Sequence, residues 1–339
     1  VYEHLKRAID FSMNRLGNHG MPAGLHADWN DCLRLGKQGE SSFVAMQLYY
    51  AMTILRKFAE YKKDTDYITY LDEIQDKLGK IIQDTCWEED RFVRGYTEKG
   101  EVIGSKKAPE ANMWLNPQSW SVISGLASKE QAELALESVH RELNTPYGVS
   151  LMAPSYIKHA FDGALMLLFN PSTKEKGGIF SQPQGWIILA EALMGHGNRA
   201  FEYFNESSPA SANDRAEIRK LEPYCHGQFT ESMESPYAGR AHVHWLTGTA
   251  STVMVGCVEG ILGLRPDFGG LRLDPAISSD WEEFTMDKDF RGCHLHIVVK
   301  NPNGKESGVS KVTVNGSLMD GNYIPVDVLT EQTEVIVEL

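Results

Sequence analysis

Apolar residues at Leu5, Ile9, Phe11, Met13 and Leu16 fall near the 3.6-residue period. The chain therefore opens on an amphipathic helix, residues 1–17, that stops in the turn-rich run Gly17-Asn18-His19-Gly20. Residues 21–39 read as a loop. Residues 40–61 and 65–87 repeat the helical period and predict a long antiparallel helical pair joined by a charged turn. A strand hairpin follows over residues 91–103, with Glu98-Lys99-Gly100 at its tip. Further helices are expected over residues 117–126, 129–143, 184–194, 199–204 and 248–262, separated by loops rich in Pro, Gly, Ser and Asn. After Leu264-Arg265-Pro266 the period becomes two: residues 293–299, 309–315 and 334–339 alternate as strands do.

This pattern predicts a mainly α protein. Residues 1–264 form part of a toroid of helical hairpins, about half a ring's worth, and residues 265–339 form a small C-terminal β domain. A half ring leaves inner apolar faces such as Phe43, Leu48 and Leu55 partly open to water, so another polypeptide segment is expected to cover them. Val1 already stands inside the first helical pattern, which predicts a piece of a longer enzyme.

Composition narrows the function. The 339 residues are 42% hydrophobic and 23% charged, enough for a packed core. Lys plus Arg number 33 against 46 for Asp plus Glu, a net charge of −13, which is the wrong sign for coating nucleic acid or an anionic membrane. A small anionic substrate remains compatible, because backbone N–H groups can hold phosphate locally. The five cysteines are widely spaced and contain no CxxC, which excludes a disulfide framework and points to a reducing cytoplasm. No apolar run reaches the roughly 18 residues a membrane span needs.

The chemistry concentrates in Gly24-Leu25-His26-Ala27-Asp28-Trp29-Asn30-Asp31-Cys32-Leu33. Two carboxylates, an indole and an amide stand together in a loop, the combination a sugar site uses for stacking, hydroxyl recognition and proton donation. A carboxyl partly desolvated by Trp29 would stay protonated as a general acid. Asp28 and Asp31 could equally be turn or helix-cap residues. Spacing leaves both readings open. The pairs His242/His244 and His294/His296 could each present two rings on one strand face, but no third metal ligand is spaced nearby, and ordinary packing is the expectation.

That run, together with Gly39-Glu40-Ser41, the stretch from Asn170 to Phe180 (NPSTKEKGGIF), Gln184-Gly185-Trp186, Trp245-Leu246-Thr247-Gly248-Thr249-Ala250 and Gly263-Leu264-Arg265-Pro266-Asp267, resembles glycoside hydrolase family 94. The family contains cellobiose, chitobiose, laminaribiose and cellobionic acid phosphorylases. The resemblance runs in order over nearly the whole chain, and it implies the C-terminal portion of a larger enzyme with an (α/α)6 barrel. It also implies inverting phosphorolysis of a β-linked disaccharide to an α-sugar 1-phosphate and a free sugar, with inorganic phosphate as co-substrate and no cofactor. A phosphorylase needs an acid but no base, because phosphate is itself the nucleophile.

By the resemblance Asp31 matches the general acid, and Asp28 then supports the loop. Trp29, Phe169, Glu175 and Gln228 match substrate-site positions, Phe169 at a place where the family varies an acceptor-facing side chain. Thr247 and Gly248 match phosphate-binding positions, although a lone Thr-Gly before a helix is ordinarily a cap. Gln182 stands where the family has His. This departure removes a possible cationic phosphate ligand and keeps a hydrogen-bond donor. The implied partners are the disaccharide, phosphate and the N-terminal half of the same enzyme, with the full-length form a homodimer. Two other readings stay open: an inverting hydrolase, with Asp28, Glu175 or a carboxylate elsewhere as base, and a non-catalytic carbohydrate-binding fragment or subunit.

Overall fold

A computed structural model describes residues 1–25 and 28–339; His26 and Ala27, inside the loop motif, lie outside the described residues. The first helix is α1 (Tyr2–Met13), followed by the pair α2 (Ser42–Lys62) and α3 (Thr65–Cys86). Asp64, in the turn of that pair, caps α3 by accepting the Tyr67 N–H at 3.2 Å. It also receives the Tyr2 hydroxyl at 3.0 Å and the Lys6 ammonium at 3.1 Å, which docks α1 on the turn. The helix expected from residue 40 begins later, because the Ser41 hydroxyl accepts the Val44 N–H at 3.3 Å and makes Ser41 the cap. Glu40–Ser41 instead pair as a short strand with Gly95–Tyr96.

The remaining helices are α4 (Leu115–Ile123), α5 (Lys129–Leu143), α6 (Ser181–Leu193), α7 (Gly197–Ser207), the single turn α8 (Ala216–Arg219) and α9 (Thr249–Val255). α4 and α6 start earlier than the sequence pattern suggests. Pro117 and Pro183 fall in their first turns, where a missing N–H costs nothing.

α2 packs on α4, α4 on α6 and α6 on α9, while α3, α5 and α7 pack behind α2, α4 and α6 respectively. The sequence distinguishes the two layers. α5 carries one apolar stripe (Ala132, Ala135, Leu136, Val139, Leu143), whereas α4 buries Asn116, Gln118, Ser119 and Ser121 as well as Leu115. The inner row covers itself: Phe43 is fully buried, with its ring 5.8 Å from Trp120 and 5.6 Å from Trp186. Leu55 is buried too, in the cluster that α2 shares with α1 and α3, so the expected opening to water does not occur at Phe43 or Leu55; Leu48 is half-buried. At Phe43 the neighbouring inner helices α4 and α6 supply the cover that another segment was expected to give.

α6 and α9 touch backbone to backbone. A Cβ on Gly185 would lie 2.2 Å from the Thr252 carbonyl carbon, and one on Gly256 2.7 Å from the Gly185 oxygen. Beyond α9 the expected helix continues only as a wider π turn, Gly256–Ile261.

The change of period does mark a sheet region. A five-stranded sheet runs Glu283–Phe290, Cys293–Lys300, Gln332–Glu338, Lys311–Val314, Ser317–Leu318, with the second and third strands parallel and the other pairs antiparallel. The first of these strands escaped the pattern reading, because Asp287, Lys288 and Asp289 interrupt its alternation. Its hairpin is made by Arg291 and Gly292, both with positive φ (52° and 84°), the twist a two-residue β-turn requires. Leu295, Ile297, Val335 and Val337 from the sheet join Leu136, Ile187, Ile188 and Tyr203 in one apolar cluster. Among the described residues no helix is long and apolar enough to cross a membrane.

Candidate active site

The loop that carries the acidic motif is closed at its base by the Gly24 N–H on the Gly39 oxygen, at 2.8 Å. Within it two Asx turns follow one another: Asp28 Oδ1 accepts the Asn30 N–H at 2.8 Å, and Asn30 Oδ1 accepts the Cys32 N–H at 3.0 Å. Asp28 does more than turn the chain. Its carboxylate, 2% exposed, receives Arg94 Nη2 at 2.6 Å, and the 1% exposed Arg94 side chain also donates through Nη1 to Ser41 Oγ at 2.7 Å. The Arg94 guanidinium lies over the rings of Phe43 and Trp114, at 5.4 and 5.7 Å. Asp28 is thus committed to holding the loop. Arg94 went unnoticed in the sequence, where its only signal is a lone basic residue in the apolar run Phe92-Val93-Arg94-Gly95.

Downstream the loop is fixed by Leu33 and Leu35, buried with Trp114, Met152, Phe161 and Met166. Between these anchors Asp31 is exposed. Next to it the Cys32 thiol is pushed up to about 11, first by burial and then by the negative charges of Glu175 and Asp31. Glu175 lies in the tightly wound loop after Phe169, where Ser172 N–H bonds the Lys176 oxygen at 2.8 Å and Gly178 N–H the Lys174 oxygen at 2.9 Å. Burial raises its carboxyl above the usual range, and Asp31 adds to the rise. Glu175 Oε2 is buried without a hydrogen-bond partner among the described residues. Asp31, Cys32 and Glu175 therefore share one neighbourhood.

A second group meets the same loop from α6 and α9. The Trp29 Nε1–H donates to Gln182 Oε1 at 2.9 Å, and Gln182 Nε2 lies 3.1 Å from where a Cβ on Gly248 would stand. Thr247 Oγ1 accepts the Thr249 N–H at 3.2 Å and hydrogen-bonds the Thr249 hydroxyl, so Thr247 does serve as a turn-closing residue at the start of α9. Trp29, Gln182 and Gly248 come together, with Thr247 next to Gly248 in the chain.

Phe169 lies at the edge of a cleft of about 660 Å³ lined also by Thr173, Lys174, Phe229, Glu231, Arg240 and His242. The Lys174 ammonium sits 5.2 Å from the centre of the Phe169 ring. Gln228 is half-buried on the strand Gly227–Thr230, alternating with Phe229, and it is Phe229 that lines this cleft. The buried Glu231, not singled out in the sequence, accepts His242 Nε2 at 2.6 Å. His294 and His296 bond Asp289 and Asp287, each at 2.9 Å. Among the described residues no three His, Cys, Asp or Glu side chains are grouped to hold a metal ion.

These motifs can now be set beside known proteins. Residues 1–263 match the family model for the Glycosyl hydrolase 94 superfamily, catalytic domain. The N,N'-diacetylchitobiose phosphorylase of Vibrio proteolyticus is 37% identical, aligned over 100% of this chain and 42% of that protein. The corresponding enzyme of Vibrio furnissii is 35% identical over 94% of this chain and 40% of its own length. The chain thus spans less than half the length of these relatives. Among solved structures, a sialidase superposes with a TM-score of 0.63 over 99% of this chain and 30% of its own, at 14% identity, a likeness of fold alone. The match to the family model covers well over half of the chain, and the protein belongs to the glycosyl hydrolase 94 superfamily.

Proposed function

We propose that the protein carries the acid and much of the phosphate site of an inverting disaccharide phosphorylase. The observation that carries this reading is the placing of an exposed carboxyl, Asp31, on a loop anchored at both ends, with the Trp29, Gln182 and Gly248 group meeting that same loop. In the reaction a phosphate oxygen attacks the anomeric carbon, the glycosidic C–O bond breaks, and the Asp31 proton goes to the leaving sugar oxygen. The products are an α-sugar 1-phosphate and a free sugar.

Glu175 neighbours Cys32, next in the chain to the acid, whereas an inverting hydrolase needs its base across the sugar, with carboxyls about 6.5–9.5 Å apart and water between. That favours phosphate over water as nucleophile. Phe169 faces the acceptor cleft, and Thr247 and Gly248 contribute to the anion site. The two-layered row of helices supports reading residues 1–264 as part of an (α/α)6 barrel and residues 265–339 as a C-terminal β domain, with further donor-sugar contacts coming from an N-terminal portion of the kind the longer relatives have.

Sugar release should require inorganic phosphate and yield a sugar 1-phosphate. Asp31→Asn should lower turnover by about 10²-fold or more with little change in melting temperature. Equal sugar release without phosphate would favour the hydrolase, and near-normal turnover of Asp31→Asn would remove Asp31 as the acid.

A further inference from the structure

Trp29 and Gln182 stand 153 residues apart in the chain and meet through a single hydrogen bond, 2.9 Å from the indole Nε1–H to the carboxamide Oε1. An indole nitrogen can only donate, so its partner on Gln182 has to be the carbonyl oxygen. That settles which end of the carboxamide points which way, a matter decided by hydrogen-bond partners. The carboxamide lies beside Gly248 with its donor end nearest: Nε2 is 3.1 Å and the Trp29-bonded Oε1 3.5 Å from the site of a Cβ on that glycine, so a side chain there would press on the amide. Both partners are held in place. The backbone carbonyl of Gln182 accepts the Thr252 hydroxyl at 2.9 Å, which fixes the start of α6, and the Trp29 ring packs edge-on against Phe180 and Trp186, at 5.1 and 5.6 Å.

We propose that Trp29 is a positioning residue of the anion site: its indole N–H locks the Gln182 carboxamide so that a neutral N–H donor, and not the carbonyl oxygen, meets a tetrahedral oxyanion beside Gly248. The proposal rests on the phosphorolytic reading above. A free carboxamide can turn over and present its oxygen, which repels an anion; the lock removes that orientation before phosphate arrives. The arrangement also reproduces a neutral imidazole, which accepts on one nitrogen and donates from the other. Where the resemblance implies a His, Gln182 can accept and donate as a neutral imidazole does and has no group that titrates near pH 6.5.

The test measures phosphate and disaccharide constants separately in phosphorolysis by the protein as expressed, with calorimetric titration of inorganic phosphate beside them. Trp29→Phe keeps an aromatic ring and deletes the N–H; phosphate KM and Kd should rise about tenfold, the scale of one hydrogen bond, and by a larger factor than the disaccharide KM. Gln182→Ala should raise the same constants, and the double variant should be no worse than Gln182→Ala alone, because Trp29 acts through Gln182. Gln182→His should make the ratio of its phosphate KM to that of the native protein change in a step near pH 6.5, the ratio removing the ionisation of phosphate itself, and this arm leaves the aromatic packing untouched.

An unchanged phosphate KM in Trp29→Phe, additive losses in the double variant, or a Gln182→His enzyme without the new step would overturn the positioning role while phosphate-dependent turnover left the functional reading standing. A native protein that neither binds phosphate nor needs it for sugar release would overturn the functional reading, and the proposal with it.

Discussion

Asp28 and Asp31 are identical in type, stand in one short loop, and end up in opposite surroundings. Burial separates them: Asp28 faces the Arg94 guanidinium out of water, while Asp31 is exposed. A buried ion pair is costly to break from one side, because the surviving charge has no partner and no solvent. Arg94→Met should therefore cost about 3–5 kcal/mol in a urea or thermal unfolding experiment. The double variant Arg94→Met/Asp28→Leu, which removes the stranded charge, should recover a large part of that loss. A double variant no more stable than the single would mean that Arg94 matters for its packing on Phe43 and Trp114 instead. The turn-forming character of Asp28 and Asn30 was legible in the sequence, since Asx turns are local. The Arg94 partner was not, because it stands 66 positions along the chain from Asp28 and nothing local traces the contact.

The helices other than the single turn α8 were legible in their order for the same reason that their ends were not. Periodicity reports the buried face of α2, α3 and α5, whereas ends are decided by single capping groups such as Ser41 or by prolines admitted to first turns. The break of the last helix into α9 and a π turn depends on tertiary contact, the glycine-to-backbone approach of α6 and α9. Since α6 carries Gln182 and α9 follows Gly248, the spacing of these helices also sets the spacing of the proposed anion site. Gly185→Ala would place a methyl 2.2 Å from the Thr252 backbone and must push the helices apart. The expected result is a loss of about 1–3 kcal/mol, the usual scale of overpacking, together with a raised phosphate KM. Melting temperature and phosphate kinetics of the same variant check both; unaltered phosphate kinetics in a clearly destabilised variant would show that the site does not depend on this contact. The sheet was legible where one face alternates cleanly, and its first strand was hidden by charges that point to water.

Taken whole, the inner row of helices closes over Phe43, the cluster of α1, α2 and α3 closes over Leu55, and large apolar side chains left exposed lie elsewhere. Trp245, Leu246 and Met254 are each about two-thirds exposed around the start and the outer side of α9, the last inner helix. A hydrophobic dye should bind this chain there, and joining it to an N-terminal portion from one of its longer relatives should lower that binding and raise phosphorolysis. Dye fluorescence and sugar 1-phosphate release measured on the two preparations decide the point: equal values in both would show that α9 needs no further cover. The far end of the molecule shows the opposite strategy. The five-stranded sheet stops on one side at Glu283–Phe290, with Glu283, Asp287, Lys288 and Asp289 along it, and on the other at the two-residue strand Ser317–Leu318. Unpaired strand edges invite a neighbouring chain to add on, and charges or extreme shortness deter it. The same charges that concealed the strand from a reading of alternation thus deter a second copy from adding a strand at this edge and stacking into fibres.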